Sequence, residues 1–123
     1  MSKDIPQTAA VTEKQTVKEM AEKDYEAEVL KSELPVVLDF YSANSAPCTA
    51  LAPRFGAVAE KFEGKARFLR VSSANSPGLC EKLGVKASPT LVFFKSGKEF
   101  GERLTGDDIK RTALKGLVEA LLK

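Results

Sequence analysis

The segment Asp39-Phe40-Tyr41-Ser42-Ala43-Asn44-Ser45-Ala46-Pro47-Cys48 holds the residues best able to do chemistry in this chain. With sulfur in place of the Ser45 oxygen, its end would read Cys-Ala-Pro-Cys. That is the C-x-x-C spacing by which two thiols exchange with a disulfide. As written, the first thiol is a hydroxyl and only Cys48 remains. Asp39 lies within an apolar run, where loss of solvation raises a carboxyl pKa and suits it to proton transfer. The alternative is a structural acid whose polar partners are satisfied.

Other chemistries are narrowed by composition. The chain has no histidine, so neither His-activated nucleophiles nor His metal ligands are available. Two cysteines, Cys48 and Cys80, are too few and too far apart to suggest a zinc site. No metal or cofactor is expected. The 19 basic and 17 acidic residues are interspersed and leave a net charge of +2, which gives no electrostatic case for nucleic acid or an anionic membrane. The longest mainly apolar run, around Leu34 to Tyr41, is too short to span a bilayer. Met1-Ser2-Lys3-Asp4 lacks the apolar stretch of a signal peptide, so a cytoplasmic location with reduced thiols is expected.

The elements that must position these residues follow from periodicity. Residues 1–14 are polar and read as a flexible tail, leaving one domain over 15–123. Gln15 to Met20 reads as an edge strand, and Tyr25, Val29 and Leu30 share a helical face that ends by Ser32 to Pro35. Val36 to Tyr41 is a β-branched and aromatic run, the pattern of a strand buried on both faces. From Cys48 the spacing of Leu51, Phe55, Val58 and Phe62 makes one helical stripe, with a kink expected at Pro53 and an end at Gly64. Ala66 to Ser72 reads as a parallel strand, and Gly78 to Leu83 as a short helix stopped by Gly84. Thr90 to Phe94 is a strand joined through Ser96-Gly97 to a second one, Glu99 to Leu104. Asp107 is the expected cap of a final helix buried through Leu114, Leu117, Val118 and Leu121. The fold class is α/β, a mixed central sheet with helices on both faces.

Val37-Leu38-Asp39-Phe40-Tyr41, the loop ending Ala46-Pro47-Cys48, Pro53, Ser88-Pro89-Thr90 and Gly106 occur in an order and spacing that resemble the thioredoxin family over residues 15–123. The resemblance implies a thioredoxin fold with a cis peptide before Pro89 that presents backbone to an extended substrate. It assigns Ser45 the attacking position, Cys48 the resolving one, and Asp39 the buried acid near the resolving thiol. Asn44, Ala46, Pro47, Ser88, Pro89 and Gly106 fall on the expected substrate-facing rim. The implied partners are disulfide-containing proteins and a thioredoxin reductase, and the implied state is a monomer. Departures from the family pattern are Asn44 and Tyr41 in place of tryptophans, Thr49 where lysine is frequent, and Arg70 where a lysine usually partners the acid. A permanently charged guanidinium is expected to hold Asp39 ionised more firmly and so weaken its acid–base role. Ser88 is expected to keep a free hydroxyl, and Cys80 to be a small apolar filler.

Three functions compete. The first is a thiol–disulfide oxidoreductase whose attacking cysteine has been replaced by Ser45, by design or in nature. The second is a non-catalytic module that holds extended peptides around Ser45, Ser88 and Pro89. The third is glutathione-conjugating chemistry, disfavoured because that class resembles this fold only in its N-terminal domain and this chain has no room for the second. The first is the expectation carried forward.

Overall fold

The structure is a computed structural model that describes residues 16–123. The tail expected over residues 1–14 lies outside the described residues. The elements run β1 (Val17–Glu19), a 3-10 turn (Glu22–Asp24), a π-helical turn (Glu26–Leu30), β2 (Val36–Tyr41), α1 (Ala46–Lys61) and β3 (Arg67–Ser72). They continue with α2 (Pro77–Leu83), β4 (Thr90–Lys95), β5 (Lys98–Glu99), β6 (Leu104–Thr105) and α3 (Arg111–Leu121). The sheet order is β1-β3-β2-β4-β5, with β6 also paired to β4. β3 runs parallel to both β1 and β2, while β4 is antiparallel to β2.

Alternation along the central strands divides the apolar residues between two layers. Val37, Phe68, Leu91 and Phe93 face α1 and α3, where Phe55 meets Phe68 edge to face at 5.4 Å. Val36, Leu38, Phe40, Leu69 and Val92 face Tyr25, Val29 and α2 on the other side. Asp39 and Arg70 have the parity of Val37 and Phe68, so they sit on the face that α1 covers.

Several elements differ from the sequence-based expectation. The segment carrying Tyr25, Val29 and Leu30 is a 3-10 turn followed by a π-helical turn. Arg67 on β3 holds the end of this segment, its guanidinium donating to both the Glu28 carbonyl (2.9 Å) and the Glu28 carboxylate. That gives a partner to one of the last-turn carbonyls that a helix leaves without an intrahelical bond. The strand expected over Glu99 to Leu104 is broken. The chain takes five steps, Glu99 to Leu104, to pass three residues of β4, Phe94 to Leu91. The bulge is closed by Arg103, which grips Glu99 with two hydrogen bonds of 2.7 and 2.9 Å.

Asp107 caps nothing. The chain does not turn helical before Arg111: Ile109 is buried in the α1/α3 layer, and Asp108 pairs with Arg54 (3.0 Å) and Lys110 (2.7 Å). α3 therefore starts at Arg111, after a Lys110 that supplies no side-chain cap. Pro53 lies inside α1 without ending it. Among the described residues no helix is long and apolar enough to cross a membrane.

The hairpin tip is more than a solvated turn. Ser96 and Gly97 both have positive φ, 54° and 79°, and a Cβ on Gly97 would lie 2.7 Å from the Leu30 carbonyl oxygen. The β4–β5 turn is thus pressed against the end of the π-helical turn. Gly97→Ala is expected to cost about 2–3 kcal/mol, since backbone strain and a clash with main chain combine. Gly64→Ala, at φ 82° in open space, is expected to cost only about 1 kcal/mol. Urea midpoints of the two variants check this, and equal losses would show that the close approach is unimportant.

Candidate active site

The loop between β2 and α1 is shaped by Ser45. Its backbone is extended (φ −103°, ψ 123°) and its hydroxyl oxygen accepts the Cys48 N–H at 3.3 Å, so Ser45 is the N-cap of α1. The helix begins at Ala46, two residues ahead of the expected start at Cys48, with Pro47 in its first turn, where a missing N–H costs nothing. Thr49 adds to the same cap, both its N–H and its hydroxyl donating to the Ser45 carbonyl at 3.0 Å. Asn44 and Ala46 are exposed, and Ser45 and Pro47 half-buried. Removing the cap by Ser45→Ala is expected to destabilise the protein by about 1 kcal/mol. Chemical denaturation checks this, and unchanged stability would mean the hydroxyl does not hold the helix start.

Cys48 points inward. It is only 3 % exposed, and its sulfur accepts the Ser42 N–H at 3.4 Å. A large disulfide substrate cannot reach it directly. Cys48 and Cys80 are both free thiols. Cys80 is half-buried on α2, packs against the Tyr25 layer, and approaches the Ser73 carbonyl at 3.9 Å.

A second loop forms the opposite wall. The Ser88–Pro89 peptide is cis. The Ser88 hydroxyl, expected to be free, is paired with the Ser73 hydroxyl at 3.0 Å, because the loop after β3 runs beside it. Thr105 donates to the Pro89 carbonyl at 3.0 Å and lies 3.2 Å from the Thr90 hydroxyl, which fixes the start of β4 against β6. Gly106 follows at the exposed end of β6. A cavity of about 450 Å³, lined in part by Ser42, Ser73, Cys80 and Ser88, joins the β2–α1 loop to the cis-proline loop.

Asp39 is buried at the centre of the sheet, directly across from Arg70. Arg70 Nε lies 3.5 Å from Asp39 Oδ2, long for a charge-assisted bond. Arg70 Nε and Asp39 Oδ1 are both buried without a hydrogen-bond partner. Burial therefore outweighs the cation: desolvation pushes the Asp39 carboxyl up to about 6, with Arg70 offsetting only part of the rise and Glu19 adding slightly to it. Arg70 does not hold the carboxyl down as expected, because desolvation is the larger effect and the 3.5 Å separation leaves the pair loose.

Three features of this site were missed in the sequence: the Ser45 cap, the Ser73–Ser88 pair and the grouping of Glu19 with Tyr41 and Arg70. The S-x-x-C spacing itself signals a possible helix cap, since a serine three residues before a helical N–H is a common capping arrangement. Among the described residues no group of three or more Cys, Asp and Glu is arranged to hold a metal ion.

Comparison with known proteins agrees with this geometry. A family profile described as Thioredoxin matches residues 16–120. The thioredoxin of Rickettsia bellii is 34% identical over 80 residues, covering 65% of this chain and 76% of that protein. Thioredoxin 1 of Nostoc sp. is 31% identical over 81 residues, 66% of this chain and 76% of its own length. The thioredoxin of Porphyra purpurea is 29% identical over 83 residues, covering 68% and 78% respectively.

Proposed function

The chain belongs to the thioredoxin family, whose chemistry is thiol–disulfide exchange, and from that premise we propose that it is a thioredoxin-type protein-disulfide reductase disabled at its attacking residue. The observation that carries this reading is Ser45, which stands at the N-cap of α1 with its only side-chain hydrogen bond going to the Cys48 N–H.

With a thiol at position 45, exchange would proceed in two displacements. The thiolate bonds to one sulfur of a substrate disulfide and expels the other as a thiolate. The Cys48 sulfur then attacks the position-45 sulfur of the mixed disulfide and releases the second substrate thiol. Two electrons pass from the protein dithiol to the substrate, and the protein is left with an intramolecular disulfide. Asp39, titrating near neutrality on the face that α1 covers, is suited to take the proton that Cys48 must lose.

Ser45 stops this at the first displacement. A hydroxyl stays protonated near neutral pH and no base hydrogen-bonds to it, so it does not open a disulfide. Cys48 is too buried to replace it. The reading has disulfide-containing proteins as substrates of the parent and a thioredoxin reductase as its electron donor, with the protein working as a monomer in the cytoplasm.

The test is insulin reduction with dithiothreitol or thioredoxin reductase as donor, run on this chain and on Ser45→Cys. Turnover by the chain as written would sink the proposal. Inactivity of both would favour a peptide-binding module that uses the cavity between the two loops.

A further inference from the structure

Asp39 belongs to a row of charges that crosses three strands. On the α1 face, Glu19 of β1, Arg70 of β3 and Asp39 of β2 stand side by side in register. Arg70 is thus flanked by two carboxylates, one at the sheet edge and one in the core. Tyr41, one position further along that face of β2, lies over the row. Its ring centroid is 3.9 Å from the Arg70 guanidinium carbon, and its hydroxyl donates to Glu19 Oε2 at 2.7 Å. The aromatic ring therefore covers the cation, and its far end is tied down beyond it.

This arrangement accounts for an otherwise puzzling pair of atoms. Arg70 carries five N–H donors, yet Asp39 keeps one oxygen without a partner, and Arg70 Nε is buried without a hydrogen bond. Without the ring above it the guanidinium would leave for water, since the side chain is already 27% exposed. Stacking under a tethered ring holds it at an intermediate place.

We propose that Glu19, Tyr41 and Arg70 form a latch that keeps the guanidinium beside Asp39 without pairing it fully, which makes Tyr41 and Glu19 positioning residues for the Asp39 carboxyl. The latch is a statement about geometry, and its role in catalysis rests on the reading of Asp39 as the proton acceptor for Cys48. The charged and titratable groups beside Asp39 are Arg70 from β3, Glu19 from β1 and Tyr41 from β2. Glu22 is turned away, its carboxylate accepting the Leu79 N–H at 2.9 Å.

Opening the latch frees Arg70 toward solvent, where water screens it, and Asp39 loses its nearest cation. The Asp39 titration midpoint, followed by carboxyl carbon NMR, is expected to rise by about 1 pH unit in Tyr41→Leu. Tyr41→Phe keeps the stack but loses the tether, so it is expected to move the midpoint the same way by less. In an Arg70→Met background, Tyr41→Leu is expected to have almost no effect, because there is no cation left to hold. A midpoint that stays still or falls in Tyr41→Leu overturns the latch, as does an equal rise with Arg70 absent.

The functional role has a separate readout. In a Ser45→Cys background, the pH profile of turnover is expected to shift with the Asp39 midpoint. A midpoint that moves while the profile does not would leave the latch standing and remove Asp39 from the proton transfer.

Discussion

Ser45→Cys is expected to raise insulin reduction by at least about 10³-fold over the chain as written, the scale on which a nucleophile usually counts. On the proposed reading, the remaining parts of the exchange are Cys48, Asp39 and the Ser88–Pro89 loop. The new thiol would sit at the N-terminus of α1, where the helix dipole favours a thiolate. It would be in the half-buried place that Ser45 occupies, beside a rim formed by Asn44 and Ala46. Cys48 stands one helical turn on, shielded from substrate but reachable from position 45 through the loop that the cap now closes. Sulfur is a weaker acceptor than oxygen, so the restored protein is expected to lose up to about 1 kcal/mol of the capping energy. Activity would thus return with a small fall in stability. Adding Cys48→Ala to Ser45→Cys should trap substrate as a mixed disulfide, because attack succeeds and resolution fails. Inactivity of Ser45→Cys with an unchanged fold would instead place the fault in the rim, where Asn44 and Tyr41 replace the tryptophans usual in the family.

Replacing Asp39 by Asn is expected to change stability in a strongly pH-dependent way. The carboxyl rises from an ordinary 3.8 to about 6 on folding, chiefly through burial. Between those values the folded protein binds more protons than the unfolded chain, so the Asp39 contribution falls as pH rises from about 4 to about 6. Above that window the whole cost of burying the anion is present. Below it the carboxyl is neutral in both states and the cost is gone. At 1.36 kcal/mol per pH unit, the cost comes to about 3 kcal/mol. Asp39→Asn should therefore gain about 3 kcal/mol relative to the unaltered chain between pH 3.5 and pH 8, whatever the amide itself contributes. Urea unfolding across that range measures it. A difference that does not change with pH would mean that Asp39 is well solvated or properly paired, and the buried-acid reading would fail. A protein that keeps such a cost at its centre resembles one that needs the group for its chemistry.

Much of this protein was written locally. The β-branched run Val36–Tyr41, the stripe Leu51, Phe55, Val58 and Phe62, and the strand beginning at Thr90 each carry their own periodicity. The structure has β2, α1 and β4 there. Such patterns are legible because each residue's burial follows from its position within its own element. The spacing of Ser45 and Cys48 likewise pointed to the loop at the head of α1 as the candidate site. The elements misread were those whose form depends on a distant partner. Ile109 and Arg54 delayed α3 past Asp107, and Arg103 with Glu99 closed the bulge that broke the last strand.

The sequence by itself determined the family, the order of the main elements, and a serine rather than a cysteine three residues before Cys48. Only the tertiary structure decided what surrounds that serine. Strand register set Glu19, Arg70 and Asp39 in one row, the Tyr41 ring covered the cation, and Ser88 found Ser73 across the cavity. The physical reason is the range of the interactions. Propensity and periodicity act over a few residues, whereas the state of a buried charge is set by desolvation and by partners brought beside it from other strands.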